Sequence, residues 1–308
     1  MINCKLKLWQ LKQRQTLSLD SKIKLSLNRI KDWYEYYDGK VYVSFSGGKD
    51  STVLLHLARS IYPKIEAVFV DTGLEYPEIR SFVSQFDNVT IIRPKMSFKQ
   101  VLDTYGYPCI SKKVARQIRD LQNPTEKNKN TRKLYFEGIK KDGTKTKGFK
   151  LAKKWRYLIK APFKISERCC DVIKKEPIHR YEKASNKKAI IGNMASDSNQ
   201  REIAYLRTGC FNYKRGQCLP IGFWTEKDIW TYIKKYSLQY CSIYNTGVKR
   251  TGCMFCMFGV HLEKNPNRFQ LMQITHPLLY KYCLYKLGLK EVLQYLGIEF
   301  ERQPELAK

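Results

Sequence analysis

Acidic side chains are scarce in this chain. Only 28 Asp and Glu stand against 57 Lys and Arg, which leaves a formal charge of +29. That imbalance suits acidic partners, nucleic acid above all, although 40 of the 57 cations are Lys and a Lys- and Asn-rich coding bias produces the same excess. Long apolar runs are missing as well: no stretch of 18 apolar residues exists, and MINCKLKLWQLKQRQ carries charges where a signal peptide needs an apolar centre. A membrane partner is therefore excluded, and the expectation is a soluble, cytoplasmic protein. Neither GxxxxGK[ST] nor GxGxxG can be laid on the glycine turn near residue 47, which excludes the common nucleotide loops. There is no internal repeat.

What is present is a chain of 308 residues, long enough to bury a core without covalent staples, so stability does not account for its ten cysteines. In a reducing compartment, cysteines in close-set groups point to metal ligands or working thiols. Apolar positions Ile23, Leu27, Ile30 and Trp33 recur at steps of three and four behind the caps Ser18 and Asp20, which predicts an amphipathic helix closed by Asp38-Gly39. Strands at 41–45, 65–70 and 89–92 then alternate with helices at 51–61 and 77–86. That alternation predicts an α/β fold with a doubly wound, mainly parallel sheet. Further on, a helix is expected near 167–183, a strand at 189–191, helices at 198–206 and 225–235, and a helical C-terminal part at 265–296.

The expected domains are an N-terminal extension over 1–40, a nucleotide-binding domain over 41–262 and a helical region over 263–308. Within the middle domain, residues of about 123–160 form a polar, Lys-rich insertion or mobile loop in which YFEGI suits a short hairpin strand. Residues 127–160 carry thirteen Lys or Arg against two acids, Glu137 and Asp142, a local +11. Such a run serves equally as a solvated face or as a phosphate track.

VYVSFSGGKDSTVLLHL, residues 41–57, reads as a buried strand, a glycine turn and a helix. Gly47 and Gly48 let the backbone approach an anion, and the amides opening the helix point at it with the positive end of the helix dipole. Lys49 adds charge, and Ser46 and Ser51 add hydroxyls. A second turn, Asp71-Thr72-Gly73, falls at the same carboxyl edge of the sheet, where open α/β sheets bind ligands. Among the cysteines, Cys169-Cys170 in SERCCDVIKKEP and Cys253 with Cys256 in TGCMFCMFG form two pairs with 82 residues between them. Four thiolates suit Zn²⁺ or a [4Fe-4S] cluster, and a thiol pair without metal is the third reading. Cys210 in RTGCF is a further candidate ligand or thiol, whereas Cys283 in YKYCLYKL reads as a buried small hydrophobe.

SGGKDS after a strand resembles the pyrophosphate loop of the PP-loop ATP pyrophosphatase (adenine nucleotide alpha hydrolase-like) superfamily. VFVDTGLEYPEIR, CCDVIKKEPI, IGNMASDSNQR and FWTEKDIWTYI are similar, in order, to the phosphoadenosine phosphosulfate (PAPS) reductase branch, over residues 40–260 or so. The resemblance implies that Ser46, Gly47, Gly48, Lys49, Asp50 and Ser51 bind nucleotide phosphates, with Lys49 and Asp50 catalytic, and that Asp71, Thr72 and Gly73 lie near the adenosine. Ser198 and Arg201 are then substrate-binding candidates. The Cys-Cys and Cys-x-x-Cys pairs are similar to the [4Fe-4S] site of adenosine phosphosulfate (APS) reductases, which makes Cys169, Cys170, Cys253 and Cys256 the expected ligands.

Three departures separate this chain from the reductases of that branch. No cysteine follows Cys283, where reductases carry a nucleophile in the tail; Met194 stands where Arg is common; and the Lys-Asp that reductases tend to lose is kept. The expectation is an enzyme that uses ATP with Mg²⁺ to adenylylate a substrate in sulfur transfer, acting on DNA or tRNA, with a sulfur donor or thiol reductant protein as partner. An APS or PAPS reductase releasing sulfite, and a non-catalytic nucleotide- or nucleic-acid-binding module, stay open as alternatives.

Overall fold

The computed structural model describes residues 6–302; Cys4, the first residues of the N-terminal extension and the last six residues lie outside it. Helices α1 (Leu8–Thr16) and α2 (Leu19–Tyr36) lead into strand β1 (Val41–Ser44) and helix α3 (Lys49–Ile61). Strand β2 (Ala67–Val70), helix α4 (Pro77–Val83), strand β3 (Val89–Ile92) and helices α5 (Phe98–Tyr105), α6 (Lys112–Gln122) and α7 (Lys129–Phe136) follow. Helix α8 (Glu176–Ser185), strand β4 (Lys188–Ile191), helix α9 (Asn199–Thr208), strands β5 (Phe211–Asn212) and β6 (Gln217–Cys218) and helix α10 (Glu226–Lys235) come next. Helices α11 (Arg268–Thr275), α12 (Pro277–Lys281) and α13 (Leu289–Tyr295) complete the chain. Among the described residues no helix is long and apolar enough to cross a membrane.

The chain divides into two compact units. The first holds the residues up to Asp71, then Glu75–Arg93 and Pro177–Thr251; the second holds Thr72–Leu74, Pro94–Glu176 and the residues from Gly252 onward. All six strands belong to the first unit, in the order β3-β2-β1-β4-β6-β5. Every pairing is parallel except β5 with β6. Val41, Tyr42 and Val43 are all buried, as a central strand covered on both faces requires. Strand order reverses direction at β1, whose neighbours are β2 and β4. The crevice beyond the carboxyl ends of such strands is where a doubly wound sheet accepts ligands, and the glycine turn sits there because it follows β1 directly.

Helix α2 begins as expected: Ser18 Oγ accepts from Ser21 N at 3.2 Å, and the exit residues Asp38 and Gly39 take positive φ. Its buried Lys22, 2% exposed, gives its ammonium to Asp228 at 2.7 Å and to the carbonyl of Gln15 at 2.8 Å, tying α2 to α10. Removing one partner of a buried pair strands the other charge. Lys22→Ala is expected to cost roughly 3–5 kcal/mol, read as a lowered urea midpoint at unchanged slope.

Two expectations are corrected. Residues 123–160 are not a featureless loop: α7 forms there, and Tyr135 and Phe136 of YFEGI are helical. A short hairpin does follow, bridged at Ile139 and Lys145. Helix α7 buries no residue, so it has no apolar stripe for sequence to show; its entry is set by Asn128, which accepts from Thr125 N and from Arg132 Nε. The helix expected over 167–183 is interrupted by a wide turn at Asp171–Lys175, where Glu176 N donates to the carbonyl of Asp171. Pro177 is the cause, since it has no N–H for the carbonyl of Ile173 and its ring crowds that position. The C-terminal part is helical but broken into short pieces, and Cys283 is fully buried as expected.

Candidate functional site

In the first unit the glycine turn opens α3. Gly47 has φ +70°, and a Cβ there would stand 2.8 Å from Val83 Cγ2. Gly47→Ala is therefore expected to cost about 1–2 kcal/mol from the backbone alone, more with the clash, read as a lower thermal midpoint. A Cβ on Gly48 would meet Thr251 Oγ1 at 2.7 Å, so the backbone lies close under a hydroxyl. Gly48 caps α3 without a side chain, which leaves the first-turn amides to outside acceptors. Ser51 Oγ donates to the carbonyl of Gly48 at 2.9 Å and accepts from Ser46 N at 3.2 Å, holding the turn's shape. The β4 turn packs beneath: a Cβ on Gly192 would lie 3.3 Å from the carbonyl oxygen of Asp50.

Lys49 is buried, 4% exposed, with its ammonium 3.1 Å from Asp50 Oδ1 and 3.4 Å from Glu226 Oε1. Burial alone would lower its pKa, but Asp50, then Tyr244 and Glu226, more than offset that and raise it. Asp50 is pushed up by burial, against Lys49, with Asp197 and Glu226 adding repulsion. The result is a lysine held charged in a poorly hydrated pocket beside surplus carboxylate.

Three residues of this site, Tyr244, Thr251 and Asp197, were not legible in the sequence. Tyr244 OH accepts from Lys49 N at 2.9 Å and shares a 3.2 Å hydrogen bond with Thr251 Oγ1, so a phenol occupies the first amide of α3. Asp197 is a third: its carboxylate binds Arg201, and Arg250 Nη2 donates to its Oδ1 at 3.3 Å. Arg201 is thus placed near the loop through a carboxylate, while Ser198 caps α9 by accepting from Arg201 N at 3.3 Å. Met194 is buried, 1% exposed. Asp71 is gripped by Arg80 at 2.5 Å and Arg93 at 3.3 Å. Cys210 also lies in the first unit, buried beside Tyr205 OH at 3.5 Å, and burial raises its thiol pKa.

The second unit contains Thr72, Gly73 and the four cysteines of the two pairs. Thr72 Oγ1 accepts from Leu74 N at 3.2 Å, Gly73 takes φ +80°, and the carbonyl of Leu74 accepts from Met254 N at 3.0 Å. Residues 72–74 are thereby tied to the Cys-x-x-Cys turn. That turn is closed by Cys256 N on the carbonyl of Cys253 at 3.1 Å. Cys169 and Cys170 have their sulfurs 3.9 Å apart.

Electrostatically the four thiols form one group. Cys170 is pulled down, first by the hydrogen bond from Cys169 and further by Lys112 and Lys174, against burial. Cys169 moves up for the same shared hydrogen bond, with burial and the other three sulfurs adding to it. Burial pushes Cys253 up to about 11 and raises Cys256, which feels Arg268 and Lys174. Arg268 also donates to the carbonyl of Cys256 at 2.9 Å. Burial thus resists ionisation of these thiols, while Lys174 favours it at Cys170, Cys253 and Cys256.

Among the described residues no three His, Cys, Asp or Glu side chains converge closely enough to hold a single metal ion. Four soft thiols gathered in one unit are the donor chemistry of an iron-sulfur cluster or a zinc site.

A model of the phosphoadenosine phosphosulfate reductase domain matches residues 40–147 and 117–258. An uncharacterized protein of Methanocaldococcus jannaschii is 29% identical over 78% of this chain and 47% of its own length; a second from the same organism is 26% identical over 77% and 40%. The chain thus spans less than half of these two relatives. The adenosine 5'-phosphosulfate reductase of Anoxybacillus flavithermus is 20% identical over 83% of this chain and 89% of its own. Among solved structures, the PAPS reductase of Candida auris is 16% identical and covers 77% of this chain and 96% of its own, with a TM-score of 0.43.

Proposed function

Because the chain belongs to the phosphoadenosine phosphosulfate reductase domain family, we propose that it is an enzyme of sulfur transfer that binds ATP at the loop Ser46–Ser51 and adenylylates its substrate. The observation that carries this reading is Lys49, kept in the loop, buried, and held charged at the start of α3 by Asp50. A buried ammonium beside helix-opening amides is suited to the negative charge that grows on a departing pyrophosphate. A substrate oxygen attacks the α-phosphorus, the bond from that phosphorus to the bridging oxygen breaks, and pyrophosphate leaves with Mg²⁺. A sulfur donor then displaces AMP, and the sulfur takes the place of the activated oxygen.

Asp71, at the end of β2, is a candidate for the adenosine side, and its two arginines fix its orientation. Arg201 and Arg250, anchored on Asp197, are candidates for holding the nucleotide's phosphates. Cys169, Cys170, Cys253 and Cys256 would hold a [4Fe-4S] cluster, with Lys112, Lys174 and Arg268 balancing its negative charge. The chemistry a cluster supplies there is the binding or delivery of sulfur. Cys210 is left out because its burial under Tyr205 suits packing.

The second reading, an APS or PAPS reductase, is favoured by the spacing of the cysteine pairs and by the reductase names among the relatives. One pair of assays separates the two. Incubation with ATP, with and without DNA or tRNA, should release pyrophosphate. Sulfite released from APS or PAPS with a thiol reductant, and no turnover of ATP, would overturn the ATP reading.

A further inference from the structure

The second unit carries a surface whose charge has no internal purpose. Of the thirteen cations in 127–160, all eleven lysines are exposed. Among the described residues only Lys129 has a carboxylate within salt-bridge reach, Glu126 at 3.8 Å. Asp142 is spent on its own turn, accepting from Thr144 N at 2.9 Å and Thr144 Oγ1 at 2.7 Å. The segment is nonetheless built: Leu151 N donates to the carbonyl of Tyr135 at 2.7 Å, Gln117 Nε2 to that of Phe149 at 2.5 Å, and Lys113 Nζ to that of Gly148 at 2.8 Å. Fixing so many like charges in one ordered region costs free energy through mutual repulsion, which a phosphate backbone relieves and solubility alone does not require.

Exposed aromatic faces sit among these cations. Phe149 is 54% exposed, Phe136 43% and Tyr157 42%. Arg156 lies 4.5 Å from the centre of the Phe136 ring and is fastened there by its hydrogen bond to the Phe136 carbonyl at 2.8 Å, so a flat cation is already stacked on one ring. Flat apolar faces set in a field of lysines match unstacked bases strung on phosphates. A duplex hides its base faces, and the vesicle arm of the test below separates a lipid surface.

We propose that residues 127–160 form a binding surface for single-stranded nucleic acid, with the lysines tracking the backbone and Phe149 and the Phe136–Arg156 pair stacking bases. The surface requires no nucleotide in the loop of the first unit, so it is tested separately from ATP splitting. The full chain is titrated, without ATP, into a labelled oligonucleotide of mixed sequence as single-stranded DNA, as single-stranded RNA and as the DNA duplex, at several salt concentrations.

Expected are at least about tenfold tighter binding of the better single strand than of the duplex, and affinity that falls linearly with salt on logarithmic axes. Lys147→Ala should reduce that slope by about 0.7, one phosphate contact, and Phe149→Ala should weaken binding roughly 5- to 100-fold at unchanged slope. Which strand binds tighter separates RNA from DNA as the source. Equal affinity for duplex and single strand, a Phe149→Ala variant that binds as the parent does, or retention on phosphatidylserine vesicles without oligonucleotide binding would each overturn the assignment.

Discussion

Lys49→Ala is expected to lower the rate of pyrophosphate release from ATP by about 10²- to 10³-fold, the cost of removing one preorganised group from the place where charge develops. The effect should fall mainly on kcat. A cation that meets the bridging and β-phosphate oxygens matters most when the leaving group carries its full charge. KM should rise as well, because the change leaves Asp50 and Glu226 without the ammonium they share and turns the mouth of the loop toward anion repulsion. Lys49→Met keeps the buried stem and removes only the charge. It should reproduce the loss with a smaller effect on the thermal midpoint, which separates catalysis from packing. Turnover unchanged in both variants would remove the loop from the chemistry.

Cys253→Ser is expected to take anaerobically purified protein from a brown preparation absorbing near about 400 nm, with about four irons per chain, to a colourless one with less than one. Losing one of four thiolates is severe here. Cys253 and Cys256 share a turn closed by one backbone hydrogen bond, and the neighbouring Met254 N holds the carbonyl of Leu74. Ligand binding at such a site is also folding free energy, so the thermal midpoint should drop with the iron. Cys210→Ser is the matching control: it lies in the first unit beside Tyr205 and should leave the iron content unchanged. A colourless parent protein holding one zinc would refute the cluster and keep the four thiols as ligands of a different centre.

The parts of this fold that were legible are those whose side chains report their surroundings locally. β1, β2 and β4 are short apolar runs because both faces are covered, and α2 shows its stripe because one face is buried. The glycine turn was legible because Gly47 must take positive φ between a strand and a helix, and few residues other than glycine do so at no cost. Helix α7 was missed because it buries nothing, and β5 and β6 because two residues each cannot show a period. The break before Pro177 carried its signal in the proline, outweighed by the apolar spacing around it.

The sequence by itself determined the fold class, the position of the glycine turn after β1 and the pairing of the cysteines into two groups, since each depends on residue type and on neighbours a few positions away. Only the tertiary structure decided what surrounds Lys49. Tyr244 reaches its amide from 195 positions along the chain, Glu226 brings a carboxylate to its ammonium, and Asp197 adds repulsion at the adjoining Asp50. It also placed the four thiols in one unit with Lys112, Lys174 and Arg268, and Cys210 in the other. Charge and burial at a site are sums over everything folded against it, and no local stretch of sequence contains those terms.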